Sequence, residues 1–197
     1  LGPGRDGRAA VRGRPGDTHG AGDTGTGAGR AGDWDTDTCD STPAKQHPTG
    51  TLHISYGYCS DISRAWVCSG KPTDEQRRLY SIAYDQIQHN ISVLSAGMTF
   101  REVSEKCWTI PDEFISHRYS TLIHVVGLAD EYPNIKHWDQ FEACGYDGLI
   151  EPGMTLCVES FIGSEGGREG VKLEEQVIIT ENGVERQSTY PFELDML

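Results

Sequence analysis

Two β-rich runs near the carboxyl end each place a glutamate where a strand is expected to be buried. Residues 154–162 read MTLCVESFI and residues 171–180 read VKLEEQVIIT, and such runs are typical of strands. Glu159 alternates in step with Cys157 and Phe161, so it shares their face of the strand. A glutamate on a core face costs free energy unless it is paired or bound to a metal. The chain is therefore expected to form a sheet that buries carboxylates.

Three further acids and a histidine stand in comparable positions. Asp35 and Asp37 are two residues apart, so an extended backbone directs both to one side, where a cation would hold them together; a solvated acidic turn is the alternative. Asp61 lies in a predicted strand and needs a partner there, either a metal or Arg64. His124 lies in the apolar run LIHVVGL, and it is either a hydrogen-bonded core residue or a ligand.

A last glutamate completes the set of candidate metal ligands. Glu174 adjoins Glu175, and because neighbouring strand residues point to opposite faces, one of the two faces inward. Carboxylates and an imidazole together form a hard, oxygen-rich site that suits divalent first-row metals, and paired carboxylates can bridge two ions. The candidate ligands are Asp35, Asp37, Asp61, His124, Glu159 and Glu174.

The amino-acid composition changes along the chain and separates a first segment from the rest. Residues 1–32 contain eleven of the 24 glycines and no aromatic residue, so we expect a disordered segment that cannot offset its ordering entropy. Residues 33–197 are expected to form one domain. Within it, residues 38–54 are polar and rich in Pro and Thr, which predicts an inserted loop between two neighbouring strands. This loop is either a tolerated hairpin extension or an insertion that disrupts the site.

Helix and turn signals indicate the fold class. Thr73–Gln76 reads as a capping box that opens a helix ending near Gly97, and Thr99 to Glu102 repeats the signal for a second helix. Asn182-Gly183 favours a tight hairpin turn after the second β-rich run. The order of a strand pair, helices and further strands predicts an α+β fold with a mostly antiparallel sheet.

Charge narrows the range of partners. The formal net charge is −13, and residues 1–32 hold five Arg and three Asp, so the remainder carries about −15. Such a surface would repel nucleic acid and anionic membranes and would suit a cationic substrate or a metal, although acidity can also simply maintain solubility. No run of 18 apolar residues and no signal-peptide pattern is present, so we expect a cytoplasmic protein.

The ordered pattern Asp-x-Asp, Asp, His-x-x-Gly, Glu, Glu resembles the creatinase/aminopeptidase P/methionine aminopeptidase superfamily. Residues 151–159 and 170–174 are similar to its last two ligand motifs. The resemblance covers about residues 33–190 and implies a pita-bread catalytic domain, in which a mostly antiparallel curved sheet is flanked by helices. The N-terminal domain usual in the creatinase-like branch is missing from this chain. The six candidate residues named above are then the implied metal ligands.

Within the superfamily, the chain looks most like the metal-dependent dimethylsulfoniopropionate (DMSP) lyases. Residues 119–133 (YSTLIHVVGLADEYP) and the stretch YGYCSDISR carry this resemblance. The peptidase branches keep a second histidine near the position of Asp130. The resemblance implies two divalent ions, iron first, with manganese, zinc or cobalt as alternatives, and a homodimer. It also implies Asp130 as general base and Tyr119 as a substrate-positioning residue; a surface acid and a packing residue are the respective alternatives.

Three functions follow as hypotheses. In a DMSP lyase, the metals would bind the substrate carboxylate, Asp130 would take the neighbouring C–H proton, and dimethyl sulfide would leave to give acrylate. Tyr119 could hold the sulfonium by a cation–π contact of about 1 kcal/mol. The alternative enzyme is a Xaa-Pro-type metallopeptidase in which Glu159 activates a metal-bridging water. The third hypothesis is an inactive, truncated member of the same family.

Overall fold

The structure, a computed structural model, describes residues 45–68 and 70–197. The segment 1–32 and the candidate ligands Asp35 and Asp37 therefore lie outside the described residues. The strands and helices follow one another as β1 (Lys45–Ser55), β2 (Tyr58–Cys68), α1 (Asp74–Val93), α2 (Phe100–Lys106), β3 (Ile123–Val125), β4 (Asn134–Ile135), α3 (Trp138–Cys144), β5 (Thr155–Gly163), β6 (Gly170–Thr180) and β7 (Gly183–Arg186). Two short 3-10 helices span Asp112–His117 and Leu194–Met196.

The described strands form one sheet in the order β1-β2-β6-β5-β3-β4, and β7 pairs with β6. Each pairing in it is antiparallel. The predicted α+β fold with a mostly antiparallel sheet is confirmed. None of the helices in the described ranges is long and apolar enough to cross a membrane.

Helix α1 begins where its capping box predicts. The backbone N–H of Gln76 donates to Thr73 Oγ1 over 3.2 Å, and the N–H of Thr73 donates to Gln76 Oε1 over 2.9 Å. The buried side of the helix includes Leu79, Ala83 and Ile87 at helical spacing. Burying each large apolar side chain contributes about 1.5–3 kcal/mol. The helix therefore depends on its contact with β5 and β6, which it covers on one face.

The strand β1 differs from the loop predicted for residues 38–54. It pairs with β2 from Lys45 opposite Cys68 to Ser55 opposite Tyr58, and the turn lies at Tyr56-Gly57, both with positive φ. Polar residues and a proline are tolerated because β1 lies at the edge of the sheet, where one side of its backbone is not needed for the ladder. Residues 45–55 therefore form one strand of a hairpin with β2.

The two faces of β5 and β6 have different neighbours. Ser160 in β5 donates a 2.6 Å hydrogen bond to Gln86 in α1, so α1 lies on the face that carries Ser160. Glu159, one residue earlier, points to the opposite face. The candidate site is therefore on the side of the sheet away from α1.

Candidate metal centre

The register of the sheet brings three predicted ligands together. Glu159 in β5 lies directly opposite Glu174 in β6, and His124 in β3 lies opposite Cys157. The Nε2 atom of His124 is 3.3 Å from Glu159 Oε1 and 3.3 Å from Glu174 Oε1. All three side chains are 0% exposed. We call these residues the His–Glu–Glu cluster.

The cluster concentrates negative charge in a buried position. Burial and the neighbouring Glu159 raise the pKa of Glu174. Burial lowers the pKa of His124, but hydrogen bonds and charge from Glu159 and Glu174 outweigh it and raise that pKa to about 11. Two desolvated carboxylates remain close together when a positive group lies between them. The cluster is thus built to hold a cation.

Asp61 lies beside the cluster in β2. Its backbone N–H donates to Gln176 Oε1 over 3.0 Å, and its carbonyl accepts a 3.4 Å contact from the Cys157 thiol. Burial first, and then the charge of Glu174, raise the pKa of its carboxyl to about 7. One ligand atom each from Asp61, His124 and Asp130 lie within 4.8 Å of one another. Four of the six predicted ligands therefore converge.

Arg64, the alternative partner for Asp61, faces the other side of the sheet. Its Nη2 atom is 2.8 Å from Glu175 Oε2, and both side chains are buried. Its guanidinium also lies 4.0 Å from the centroid of the Phe192 ring. Of the two adjacent glutamates, Glu175 thus faces away from the His–Glu–Glu cluster, although it is buried. Asp61 has no ion pair with Arg64.

Asp130 lies next to the His124 ring. Its Oδ1 atom is 3.7 Å from His124 Nδ1, and the carboxyl is half-buried. This oxygen is buried and has no hydrogen-bond partner among the described residues. Burial raises the pKa of Asp130. Asp130 is thus a half-buried carboxyl whose Oδ1 faces the His124 ring at the edge of the cluster, so the alternative of a surface acid does not fit.

Tyr119 is held by Glu131, a residue that the sequence did not single out. Its hydroxyl donates a 2.5 Å hydrogen bond to Glu131 Oε1. A ligand atom of Glu131 also lies within 4.8 Å of ligand atoms of His124 and Glu159. Glu131 therefore connects Tyr119 to the cluster. The adjacency of Asp130 and Glu131 in the sequence was visible, but not which of them reaches the tyrosine.

Lys172 is the second residue that sequence reasoning missed. Its Nζ atom lies 3.1 Å from Glu159 Oε2 and 4.0 Å from Glu174 Oε2. It also lies 4.5 Å from the centroid of the Tyr119 ring. The spacing of two residues to Glu174 was a signal, since it places both side chains on one face of β6.

The donor set fits a divalent cation. Imidazole nitrogen and carboxylate oxygens are ligands that first-row metals accept, and here they are buried and crowded. A further group within reach joins His124 and Glu174 with the Cys157 sulfur. In β1, the residues opposite Asp61 and Ser63 are Leu52 and Gly50, so the described part of that strand adds no acid beside them.

The sequence matches a known protein family. Residues 51–181 match the model of metallopeptidase family M24. The chain belongs to this family. The predicted superfamily and its pita-bread fold are confirmed.

Among curated M24 relatives, the dimethylsulfoniopropionate lyase DddP of Roseovarius nubinhibens is 41% identical over 140 residues, covering 71% of this chain and 31% of that protein. The lyase DddP of Roseobacter denitrificans is 40% identical over 140 residues, with the same shares of 71% and 31%. The solved prolidase from Pyrococcus furiosus has a TM-score of 0.60 and 28% identity, covering 74% of this chain and 42% of that chain. The chain thus spans less than half the length of these M24 proteins.

Proposed function

We propose that this chain is catalytic sequence of an M24-family lyase that cleaves DMSP to dimethyl sulfide and acrylate. The observation that carries the proposal is the buried Oδ1 atom of Asp130, which has no hydrogen-bond partner among the described residues and lies 3.7 Å from His124 Nδ1. The similarity to two proteins named as DMSP lyases, at 41% and 40% identity, supports it.

The proposed ligands of the metal are the His–Glu–Glu cluster and Asp61, with Asp35 and Asp37 added from the sequence. We propose two divalent ions, iron first, with manganese, zinc or cobalt as alternatives. When bound, such ions supply Lewis acidity toward the carboxylate of a substrate. A homodimer and a cytoplasmic location stay predictions.

Asp130 is the proposed general base. Its carboxylate accepts the proton from the carbon next to the substrate carboxylate. The C–H electron pair forms the new C=C bond, and the C–S bond breaks, with its electrons leaving on sulfur. The products are acrylate and neutral dimethyl sulfide, so atoms and charge balance. A carboxyl whose pKa is raised by burial is the stronger base once it has lost its own proton.

Tyr119 is the proposed positioning residue. Its hydroxyl is fixed by Glu131, which holds the orientation of the ring. An aromatic face attracts a sulfonium by about 1 kcal/mol. The ring therefore contributes to where the leaving group lies rather than to bond breaking.

The test compares two products and two variants. The unaltered chain, loaded with iron or manganese, is assayed for dimethyl sulfide from DMSP and for proline from a Xaa-Pro dipeptide. We expect dimethyl sulfide, and a loss of about 10²–10⁴-fold in Asp130→Asn, the usual contribution of a general base. Asp147→Asn is the matched control, because its side chain is 72% exposed; its rate should stay within about twofold of the unaltered chain.

Two outcomes would contradict the lyase. Proline release without dimethyl sulfide would favour the Xaa-Pro-type peptidase, which the similarity to the Pyrococcus furiosus prolidase supports as the second candidate. In that case Glu159, at the centre of the cluster, would be the residue that activates water. Neither product, together with no stoichiometric metal, would indicate an inactive member of the family.

A further inference from the structure

Lys172 places a fixed positive charge between the His–Glu–Glu cluster and Tyr119. Its Nζ atom lies 3.2 Å from Glu159 Oε1 and 3.1 Å from Glu159 Oε2. The same atom stands 4.5 Å from the centre of the Tyr119 ring. Its side chain is 28% exposed, whereas the glutamates are 0% exposed. Lys172 is thus the more exposed partner in this ion pair.

No second Lys or Arg side chain shares this position within residues 50–68 and 70–197. Of the described Lys and Arg side chains, Lys172 alone pairs with Glu159 or Glu174. Arg64, the other buried cation of the sheet, pairs with Glu175 on the opposite face. Among the described Lys and Arg side chains, electrostatic discrimination between the two ends of a ligand at Tyr119 therefore depends on Lys172.

The position of the ammonium has opposite consequences for the two ends of a zwitterion. Within a few ångströms, and with little water between, an ammonium attracts a carboxylate and repels a sulfonium. It also occupies one face of the Tyr119 ring, so a sulfonium that uses the ring must take the other face. Both effects favour the same orientation of the substrate, with its carboxylate toward Lys172 and its sulfonium away from it.

We propose that Lys172 sets the orientation of the zwitterionic substrate. It binds the carboxylate end on the cluster side and keeps the sulfonium on the far face of Tyr119. This inference rests on the proposed function for the class of substrate. It makes Lys172 a specificity-determining residue, distinct from the base Asp130.

The test separates the two charged ends by using one probe for each. Calorimetry measures the dissociation constants of 3-(methylsulfanyl)propionate, which has a carboxylate and no sulfonium, and of trimethylsulfonium, which has the reverse. In Lys172→Met, we expect the carboxylate probe to bind about 10- to 100-fold more weakly, as for the loss of one hydrogen bond to a charged group. Trimethylsulfonium should bind equally well or more tightly. Lys172→Arg keeps the charge and should stay within about threefold for both probes.

Controls distinguish recognition from damage to the site. Lys71→Met removes the same charge from an exposed position and should change neither constant. Lys172→Gln keeps a hydrogen-bond donor for Glu159, and it should weaken the carboxylate probe as Lys172→Met does while the bound metal per chain is unchanged. Equal weakening of both probes, or no change in the carboxylate probe, would overturn the role of Lys172.

The split between the two probes, meaning the different response of their dissociation constants to Lys172→Met, does not depend on whether the chain turns over substrate. If the unaltered chain releases no dimethyl sulfide but the split between the two probes persists, the lyase proposal fails and carboxylate recognition by Lys172 stands. If dimethyl sulfide is released and the split is absent, the role of Lys172 alone is refuted.

Discussion

Glu174 and Glu175 are neighbours in β6 and are both buried, at 0% and 2% exposure, yet their surroundings are opposite. Glu175 faces Arg64, whose Nη2 lies 2.8 Å away. Glu174 faces another glutamate and a histidine, and its Oε2 accepts a 2.9 Å hydrogen bond from Ser63. One face of the strand pairs a single carboxylate with an arginine, and the other places Glu159 and Glu174 together beside His124 and Lys172.

The comparison separates a structural carboxylate from a functional one. A buried ion pair with a hydrogen-bonded arginine is self-sufficient, and removing one partner is what destabilises it. A cluster of buried acids is not self-sufficient, because its stability as a cluster depends on a cation. Buried carboxyls that raise one another's pKa, as Glu159 raises that of Glu174, are therefore candidates for function.

The largest expected effect is on the structural face. Arg64→Met leaves the Glu175 carboxylate buried, so the free energy of unfolding should fall by about 3–5 kcal/mol. Arg186 lies 3.8 Å from the same carboxylate and should keep the loss toward the lower value. Urea denaturation measures it. The double variant Arg64→Met/Glu175→Gln should recover part of the loss; a double variant as unstable as Arg64→Met would break the comparison.

The next effect is on metal binding and should appear at Glu174 alone. Glu174→Gln removes a proposed ligand, so the dissociation constant for iron or manganese should rise by at least about 100-fold, above the cost of losing an outer partner of a ligand. Glu175→Gln is the matched control and should stay within about threefold. Competition with a chelator measures both constants. Equal losses in the two variants would mean that the faces are not functionally distinct.

The smallest effect concerns His137, whose surroundings differ from those of His124. His137, whose Nε2 lies 2.9 Å from the backbone oxygen of Tyr119, is buried, and burial lowers its pKa to about 4. The unfolded chain then binds the extra proton between about pH 6.5 and 4, so stability is present above pH 6.5 and is lost as the pH falls, by about 1–3 kcal/mol. The melting temperature from pH 7 to 4 measures this loss. His137→Gln should flatten that part of the curve, and an unchanged slope would contradict the buried neutral imidazole.

Much of the fold could be predicted because its signals are local. Both capping boxes form as the sequence indicates, and the two β-rich runs become β5 and β6. The strand β1 could not be predicted, because a polar, Pro-containing segment has weak strand propensity and gains its order from pairing with β2.

The candidate site was predictable to the same extent. Alternation in β5 and β6 indicated that Glu159 and one of the two following glutamates face inward, and the apolar run around His124 indicated burial. Alternation could not choose between Glu174 and Glu175, because that choice depends on where Arg64 reaches. The contacts of Lys172 could not be predicted from alternation either, because a four-carbon side chain can lead to solvent or along the sheet.

The direct opposition of Glu159 and Glu174 in the β5–β6 register has a consequence for folding. Sliding β6 by one residue would turn Glu174 away and bring Glu175 to the site, while Arg64 would lose its partner. Misaligned chains would lack the metal-binding geometry and would gain no stabilisation from the ion. Metal binding would thus stabilise one strand register relative to the others that the backbone alone could form.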